Sequence, residues 1–281
     1  MGYNELKQHG TLDFPIQLYH VDKNHPKFEM ASHWHQGLEI IRILDGTLEI
    51  KLDNNEYAAG KGDVVFVNSE VIHSALPTQD CVYECIVMNL EMLFTKDEAS
   101  KYFIESILNL EYKIEEFIPS ANTIIERDID NLFSAMNNMS SGYKFTVIGS
   151  LYQLLGTIID NHLYKSSHYD NDSLKDKSIP KLKKALSYIR SNYDKPISLE
   201  DMAEYTEMSP KYFCSFFKKM TLKTPMEYLK AYRIERASRK LLNTDQSVTD
   251  IAYSSGFNDL SYFIKTFKEV KGVTPQKFRN T

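Results

Sequence analysis

From Ile16 to Met88 the apolar residues come in short runs broken by Gly, Asn and Asp, most clearly Leu38 to Leu44, Leu48 to Leu52 and Val64 to Val67. Runs of this length, rich in Val, Ile, Tyr and Phe, predict many short antiparallel strands in a sandwich or barrel. From about Glu91 to Lys165 the spacing becomes helical. There Val147, Leu151, Leu154, Leu155, Ile158, Ile159 and Leu163 recur three, four and one apart and form one continuous apolar face. The stretch KSSHYDNDSLKDKS, residues 165 to 178, has almost no apolar content and reads as a linker, with a domain boundary near residue 175.

Beyond the linker the pattern is written twice. Ser198-Leu199-Glu200-Asp201-Met202-Ala203 is answered by Ser247-Val248-Thr249-Asp250-Ile251-Ala252, and Tyr212-Phe213, Phe217-Lys218 and Thr224-Pro225 by Tyr262-Phe263, Phe267-Lys268 and Thr274-Pro275. The offset is 49 up to Ala203 and Ala252 and 50 at Phe217 and Phe267, so the second copy gains one residue at the turn. Repetition at a fixed offset marks a duplicated supersecondary unit. Each copy reads as a helix-turn-helix. Ser198 with Asp201, and Ser247 with Asp250, predict a capped first helix; Ser209-Pro210 and Asn258-Asp259 open the second. Phe213 and Phe217, like Phe263 and Phe267, form its buried stripe. Gly256 gives the second turn a permissive backbone, whereas Glu207 fills the matching place in the first and predicts strain there. From Thr224-Pro225 to about Asn243 one helix joins the units, with Leu229, Ile234, Ala237, Leu241 and Leu242 on its apolar side.

Charge divides the chain as sharply as hydropathy does. Residues 181 to 281 hold 19 Lys and Arg against 11 Asp and Glu, a net of +8; since the whole chain is −5, residues 1 to 180 carry −13. A basic helical module inside a mildly acidic chain is what counterion release from phosphate requires. Lys218, Lys219, Lys265, Lys268 and Lys271 cluster near the two second helices. With Ile197-Ser198-Leu199, Phe217-Lys218-Lys219, Arg233, Ile251-Ala252, Gly256-Phe257 and Gly272-Val273-Thr274-Pro275, residues 181 to 281 resemble the DNA-binding domain of the AraC/XylS family of transcription regulators. The resemblance implies base-facing positions at Lys211, Cys214 and Ser215 in the first unit and at Leu260, Ser261, Ile264 and Lys265 in the second. Lys211 and Lys265 carry long donors suited to guanine, and Leu260 and Ile264 suit thymine methyl groups. It also implies double-stranded DNA, a small-molecule effector, a second copy of the chain and RNA polymerase as partners.

The acidic part carries one chemical pattern, His33-x-His35-x3-Glu39-x6-Gly46, followed by Gly62-Asp63 and His73. Strand geometry puts His33 and His35 on one face and Trp34 on the other, with Glu39 in phase with the histidines if the strand stays regular and Arg42 out of phase. The pattern resembles the first cupin motif at each signature position. The second motif is partial, because Asn68 and Glu70 stand where cupins usually have proline and glycine. The mouth of such a barrel suits a small ligand, and His33, His35, Glu39 and His73 are its candidate ligand-binding residues. The same four can hold a divalent transition metal with an open position; a metal-free effector pocket and a structural lining remain open beside it, and no cofactor is required.

These readings give an α+β chain: residues 1 to 165 a cupin-like barrel whose accessory helices pair protomers, 166 to 178 a linker, and 179 to 281 an all-α domain with two helix-turn-helix units. The expected function is sequence-specific transcription regulation controlled by a small effector such as a sugar or related metabolite. The rival is a metal-dependent cupin enzyme fused to a DNA-binding domain, for which no separate general base can be named. No apolar run reaches the roughly 18 residues that a membrane span needs, and MGYNELKQHG lacks the apolar core of a signal peptide, so a cytoplasmic chain with no membrane partner is expected. Cys81, Cys85 and Cys214 are too few and scattered for a disulfide framework or zinc cluster, and are expected to be reduced.

Overall fold

A computed structural model describes residues 3–4, 9–11, 14–26, 28–94, 97–166, 178–221 and 223–279. Most of the expected linker, residues 167–177, lies outside them. The chain divides into two compact units, Met1–Lys175 and Asp176–Thr281.

The first unit faces two five-stranded sheets against each other. One has the order β1 (Tyr3–Asn4), β3 (Met30–Trp34), β8 (His73–Pro77), β5 (Thr47–Leu52), β6 (Asn55–Gly60); the other runs β11 (Phe117–Ile118), β7 (Val64–Val67), β4 (Leu38–Asp45), β9 (Val82–Met88), β2 (Ile16–Val21). All pairings within them are antiparallel except β1 with β3. Strand β4 is buried on both faces, because alternate residues serve two cores. Ile41 and Ile43 meet Leu48, Ile50, Leu52, Val65 and Val67 between the sheets. Leu38 and Ile40 face outward, into a layer built from α2 (Glu126–Asn138) and α3 (Tyr143–Asp160).

The region read as uniformly helical is interrupted. Helix α1 (Glu98–Leu108) is followed by β10 (Tyr112–Ile114), which pairs with β12 (Tyr164–Ser166), and by β11, which extends the second sheet beside β7. Asn68, in the place of the expected cupin proline, holds this excursion: its side chain donates to Ile114 O and accepts from Ile114 N, both at 2.9 Å. Glu70 adopts φ 61°, the left-handed backbone that the expected glycine would take.

The second unit contains α4 (Ser178–Asn192), α5 (Leu199–Tyr205), α6 (Pro210–Thr221), α7 (Pro225–Asn243), α8 (Val248–Ser254), α9 (Leu260–Lys271) and α10 (Pro275–Arg279). Helix α5 opens with a complete Ser198–Asp201 capping box, and α7 with a Thr224–Glu227 box and Pro225 in its first turn. Ser247 caps α8 by accepting from Asp250 N. The cap of α9 is Asp259 rather than Asn258. Phe213, Phe217, Phe263 and Phe267 are all fully buried. Helix α7 buries Leu229, Ile234, Ala237 and Leu241, but Leu242 turns outward and is 38 % exposed, because the buried stripe of this helix leaves it on the solvent side. The twin turns match in backbone: Glu207 has φ 58° and Gly256 φ 83°.

Candidate functional site

The four residues expected in the barrel do converge. His33, one residue before the end of β3, lies opposite His73 at the start of β8, the two being register partners. His35 follows in the loop after β3, and Glu39 points inward from β4. All four are at least nine-tenths buried. The ring centroids of His33 and His73 lie 4.1 Å apart and those of His35 and His73 5.0 Å apart. One ring nitrogen from each of the three histidines falls within 4.8 Å of the others. Glu39 Oε2 stands 3.0 Å from His35 Nε2 and 3.3 Å from His73 Nε2.

Backbone carbonyls fix the ring tautomers. Nδ1 of His33 meets Ala31 O at 2.9 Å, that of His35 meets Gly37 O at 3.0 Å, and that of His73 meets Val71 O at 2.9 Å. A carbonyl oxygen only accepts, so each Nδ1 carries a hydrogen, and a neutral ring then offers its lone pair at Nε2. Burial pushes the Glu39 carboxyl up, yet hydrogen bonding with His35 and His73 outweighs it and holds the group well below the usual carboxylate range. An ionised carboxylate and a neutral Nε2 lone pair at 3.0 Å repel. The contact therefore needs a shared proton or a metal ion between the donors. Burial, with His73 beside it, pushes His33 down to about 4, which favours its neutral, ligating form.

His9 was not singled out in the sequence, yet its ring lies 5.9 Å from that of His35 while its Nδ1 meets Tyr19 OH at 2.9 Å. Only the fold brings this distant residue to the cluster. Arg42 emerges on the opposite face of β4, as its phase predicts: it pairs with buried Glu84 at 2.7 Å and with Asp130 of α2 at 3.2 Å, and stacks 4.3 Å over Phe133. Trp34 is fully buried. Cys81 and Cys85 are buried free thiols, and burial pushes the Cys81 thiol up to about 11.

In the helical unit the outward positions repeat in exposure as faithfully as the buried ones. Lys211, Ser215, Lys218 and Lys219 of α6 and Ser261, Lys265 and Lys268 of α9 are exposed. Cys214 and Ile264 are half-buried at equivalent places, and Leu260 and Ile264 pack against the second core, so their apolar surface is shared between core and exterior. Lys271 does not join the free cluster: it pairs with Glu235 of α7 at 2.6 Å. Tyr212 and Tyr262 are 61 % and 54 % exposed at matching positions. Their repetition beside Phe213 and Phe263 was the signal for them, read in the sequence as part of the repeat alone.

Residues 15 to 155 match the model of the AraC-like ligand binding domain, and residues 202 to 281 that of a helix-turn-helix domain; the first match alone spans half of the chain. This chain belongs to the AraC family of transcription regulators. As an AraC-family member it is a DNA-binding regulator with a ligand-binding domain. It is 31 % identical to the uncharacterised HTH-type transcriptional regulator YobQ of Bacillus subtilis, over 89 % of each chain. It is 26 % identical to YdeC, another uncharacterised HTH-type regulator of that organism, over 98 % of this chain and 95 % of that one. It is 24 % identical to the melibiose operon regulatory protein of Escherichia coli, over 94 % and 90 %. Among solved structures, an AraC-type transcriptional regulator from Chromobacterium violaceum matches 37 % of this chain and 92 % of its own at 30 % identity, with a TM-score of 0.36. No helix among the described residues is long and apolar enough to cross a membrane.

Proposed function

We propose that this AraC-family chain acts as a homodimer, reads DNA through α6 and α9, takes its controlling ligand at the His33, His35, Glu39 and His73 cluster, and has no enzymatic role. The observation that carries the DNA reading is the repeated surface of α6 and α9: nine successive positions from Lys211 and from Ser261 share one burial pattern, with lysines on the outward side. Helix α7 joins the two units with 19 residues, about 28 Å at 1.5 Å per residue, close to the roughly 34 Å between successive major-groove faces. Lys211 and Lys265 are the base-reading donors of this scheme, and Lys218, Lys219 and Lys268 its phosphate contacts.

The dimer face differs from the one that periodicity suggested. Leu151, Leu154, Leu155 and Ile158 are consumed by the core beneath α3. The outer side of the same helix presents Phe145, 87 % exposed, with Gly149 and Gly156, where a Cβ would meet nothing within 4 Å. That side supports pairing with a second copy. For the effector, the name of the melibiose operon regulator supports a sugar-class ligand by kinship alone; the cluster's own donors favour something smaller. In vitro selection of duplexes by the full chain tests the central reading. A recovered consensus bound with a steep inverse salt dependence supports it, and selection of no sequence above background overturns it.

A further inference from the structure

We propose that the first unit holds a second ligand site, outside the barrel, for a small apolar monocarboxylate, with the hydrocarbon body among Phe14, Ile16, Met136, Met139 and Tyr143 and the carboxylate at Lys144 Nζ. A cavity of about 130 Å³ opens there, where the segment before β2 meets the end of α2 and the start of α3. Phe14, Ile16 and Met136 belong to the core that faces α2 and α3, not to the one between the sheets, so the site is separate from the histidine cluster. Size and lining set the body of the ligand. A dry apolar cavity of roughly 150 Å³ takes benzene, so this one suits about five or six carbons. Phe14 and Tyr143 meet edge to face at 5.7 Å, and the unbranched thioethers of Met136 and Met139 adapt to an irregular hydrocarbon. Charge sets the head. Lys144 Nζ stands 5.2 Å over the Phe14 ring, and no hydrogen bond or ion pair engages it among the described residues. The first turn of α3, where it sits, carries no acid, so the positive end of that helix adds to its field. A single ammonium is a point charge suited to a monoanion; among the described residues lining the cavity there is no arginine to fork onto a phosphate.

The wall of this cavity also supports His9. Gly10, at φ 71°, stands in the turn before β2, where Thr11 N donates to Phe14 O at 3.1 Å and Ile16 N to the same oxygen at 2.9 Å. A Cβ on Gly10 would lie 2.4 Å from Phe14 O and 2.5 Å from Ile16 O, so the turn has no slack. His9, one residue earlier, lays its ring 5.9 Å from that of His35. An occupant among Phe14, Met136 and Tyr143 therefore braces, across one short turn, the segment that flanks the barrel cluster. It bears equally on the first turn of α3, beside the exposed Phe145. Filling the site should stabilise the first unit, because a ligand that binds only the folded chain shifts the unfolding equilibrium.

The test is a titration of the full chain with cyclohexanecarboxylate, followed by calorimetry and by the methyl signals of ¹³C-methyl-methionine protein, with Met136 and Met139 assigned from Met136→Leu and Met139→Leu. Acetate, which lacks the body, and cyclohexylmethanol, which lacks the charge, are the controls. One cyclohexanecarboxylate per chain should bind, shift the Met136 and Met139 methyl signals, and raise the midpoint of barrel unfolding read by Trp34 fluorescence. Acetate at equal concentration should not displace it, and cyclohexylmethanol should bind about fivefold more weakly, the upper end for an ion pair at an open rim. Lys144→Met should weaken the carboxylate by the same factor and leave cyclohexylmethanol unchanged. Equal affinity of wild type and Lys144→Met for the carboxylate overturns the anion site. Absence of saturable binding, or shifts confined to other methionines, overturns the cavity. Binding lost in Glu39→Gln but kept in Lys144→Met assigns the carboxylate to the barrel cluster and likewise overturns the proposal. If Met136→Leu does not fold, Met139→Leu, at a position 57 % exposed, still assigns the lip of the cavity. None of these readouts involves DNA, so their failure and that of the regulator reading are told apart.

Discussion

Gly256 and Glu207 occupy twin turns with the same left-handed backbone, but only Gly256 sits under a clamp. Arg233, from the joining helix α7, donates from Nε to Tyr193 O at 2.7 Å and from its terminal nitrogen to Lys195 O at 2.7 Å, tying α7 to the chain that leads into α5. A Cβ on Gly256 would stand 2.3 Å from Tyr193 O and 2.7 Å from Arg233 Nε, the two ends of one of those bonds. Gly256→Ala therefore adds a left-handed penalty of about 1–2 kcal/mol and breaks a hydrogen bond to a charged group of about 1.5–3 kcal/mol. The stiffer unfolded chain returns about 0.4–1 kcal/mol, leaving a net loss of roughly 2–4 kcal/mol. Glu207→Ala changes little, since Glu207 already bears the backbone penalty and its pair with Lys184 is exposed to solvent. Urea unfolding of the full chain separates the two units: the only tryptophan, Trp34, reports the barrel alone, and far-ultraviolet ellipticity carries the helices of both, so the ellipticity change that does not follow Trp34 is the helical unit's transition. Gly256→Ala should lower the helical transition and leave the Trp34 transition in place. If Gly256→Ala and Glu207→Ala shift the helical transition equally, the close approach at Arg233 has no energetic weight and the clamp is refuted.

On the outer side of α3, Phe145→Glu should give a folded monomer by sedimentation, whereas Leu151→Glu, at a position 2 % exposed, should unfold the barrel; a folded dimer from Phe145→Glu would place the interface elsewhere. Lys265→Ala should cost about 1–3 kcal/mol on the selected duplex with little change on unrelated DNA, and an equal loss on both would make Lys265 a phosphate contact. Glu84 is pushed up by burial, but hydrogen bonds from Arg42, His20 and Asn137 outweigh this and hold its pKa below the ordinary 4.5. A depressed folded value means stability that is present above 4.5 and lost as pH falls through the folded value, so acid should lower the Trp34 unfolding midpoint less in Glu84→Gln than in wild type. An identical acid dependence in the two proteins would remove Glu84 from the account.

The helical unit was legible because its signals are local and repeated: Ser198 and Ser247 as caps, and Phe213, Phe217, Phe263 and Phe267 as the stripe, are each decided within a few residues. The convergence of His33, His35, Glu39 and His73 was legible through the resemblance, which covered all four, whereas the phase argument for Glu39 assumed one regular strand and the chain instead breaks after Trp34, leaving His35 in a loop and Glu39 on β4 of the other sheet. Short-range pattern failed where a partner comes from far along the chain. The apolar face from Val147 to Leu163 has one periodicity whether it meets its own barrel or a second protomer, and only the packing of α2 and the second sheet against it assigns Leu151 and Leu155 to the core. The place of His9 and the partners of Arg42, though not its face, were unreadable in the same sense, because His35 and Asp130 lie 26 and 88 residues away.

The duplication separates what the helical unit must preserve from what it is free to vary. Between α6 and α9 the buried positions are held, Phe213 to Phe263 and Phe217 to Phe267, and so is the exposed pair Lys218 and Lys268 at the edge of the stripe. The positions proposed to face bases diverge: Lys211 stands against Ser261, Cys214 against Ile264, and Ser215 against Lys265. Lys219 meets Glu269, a reversal of charge. Backbone contacts position a protein on DNA and base-edge contacts carry sequence, so a surface that keeps the phosphate contact of Lys218 and Lys268, gives up that of Lys219 at Glu269, and changes the base-facing positions should read two different half-sites. The long donor moves from the first helical turn of α6 to the second of α9, which displaces the preferred guanine within each half-site. A single protomer then requires an asymmetric pair of half-sites about one helical turn apart, and any symmetry in the whole operator must come from the second protomer.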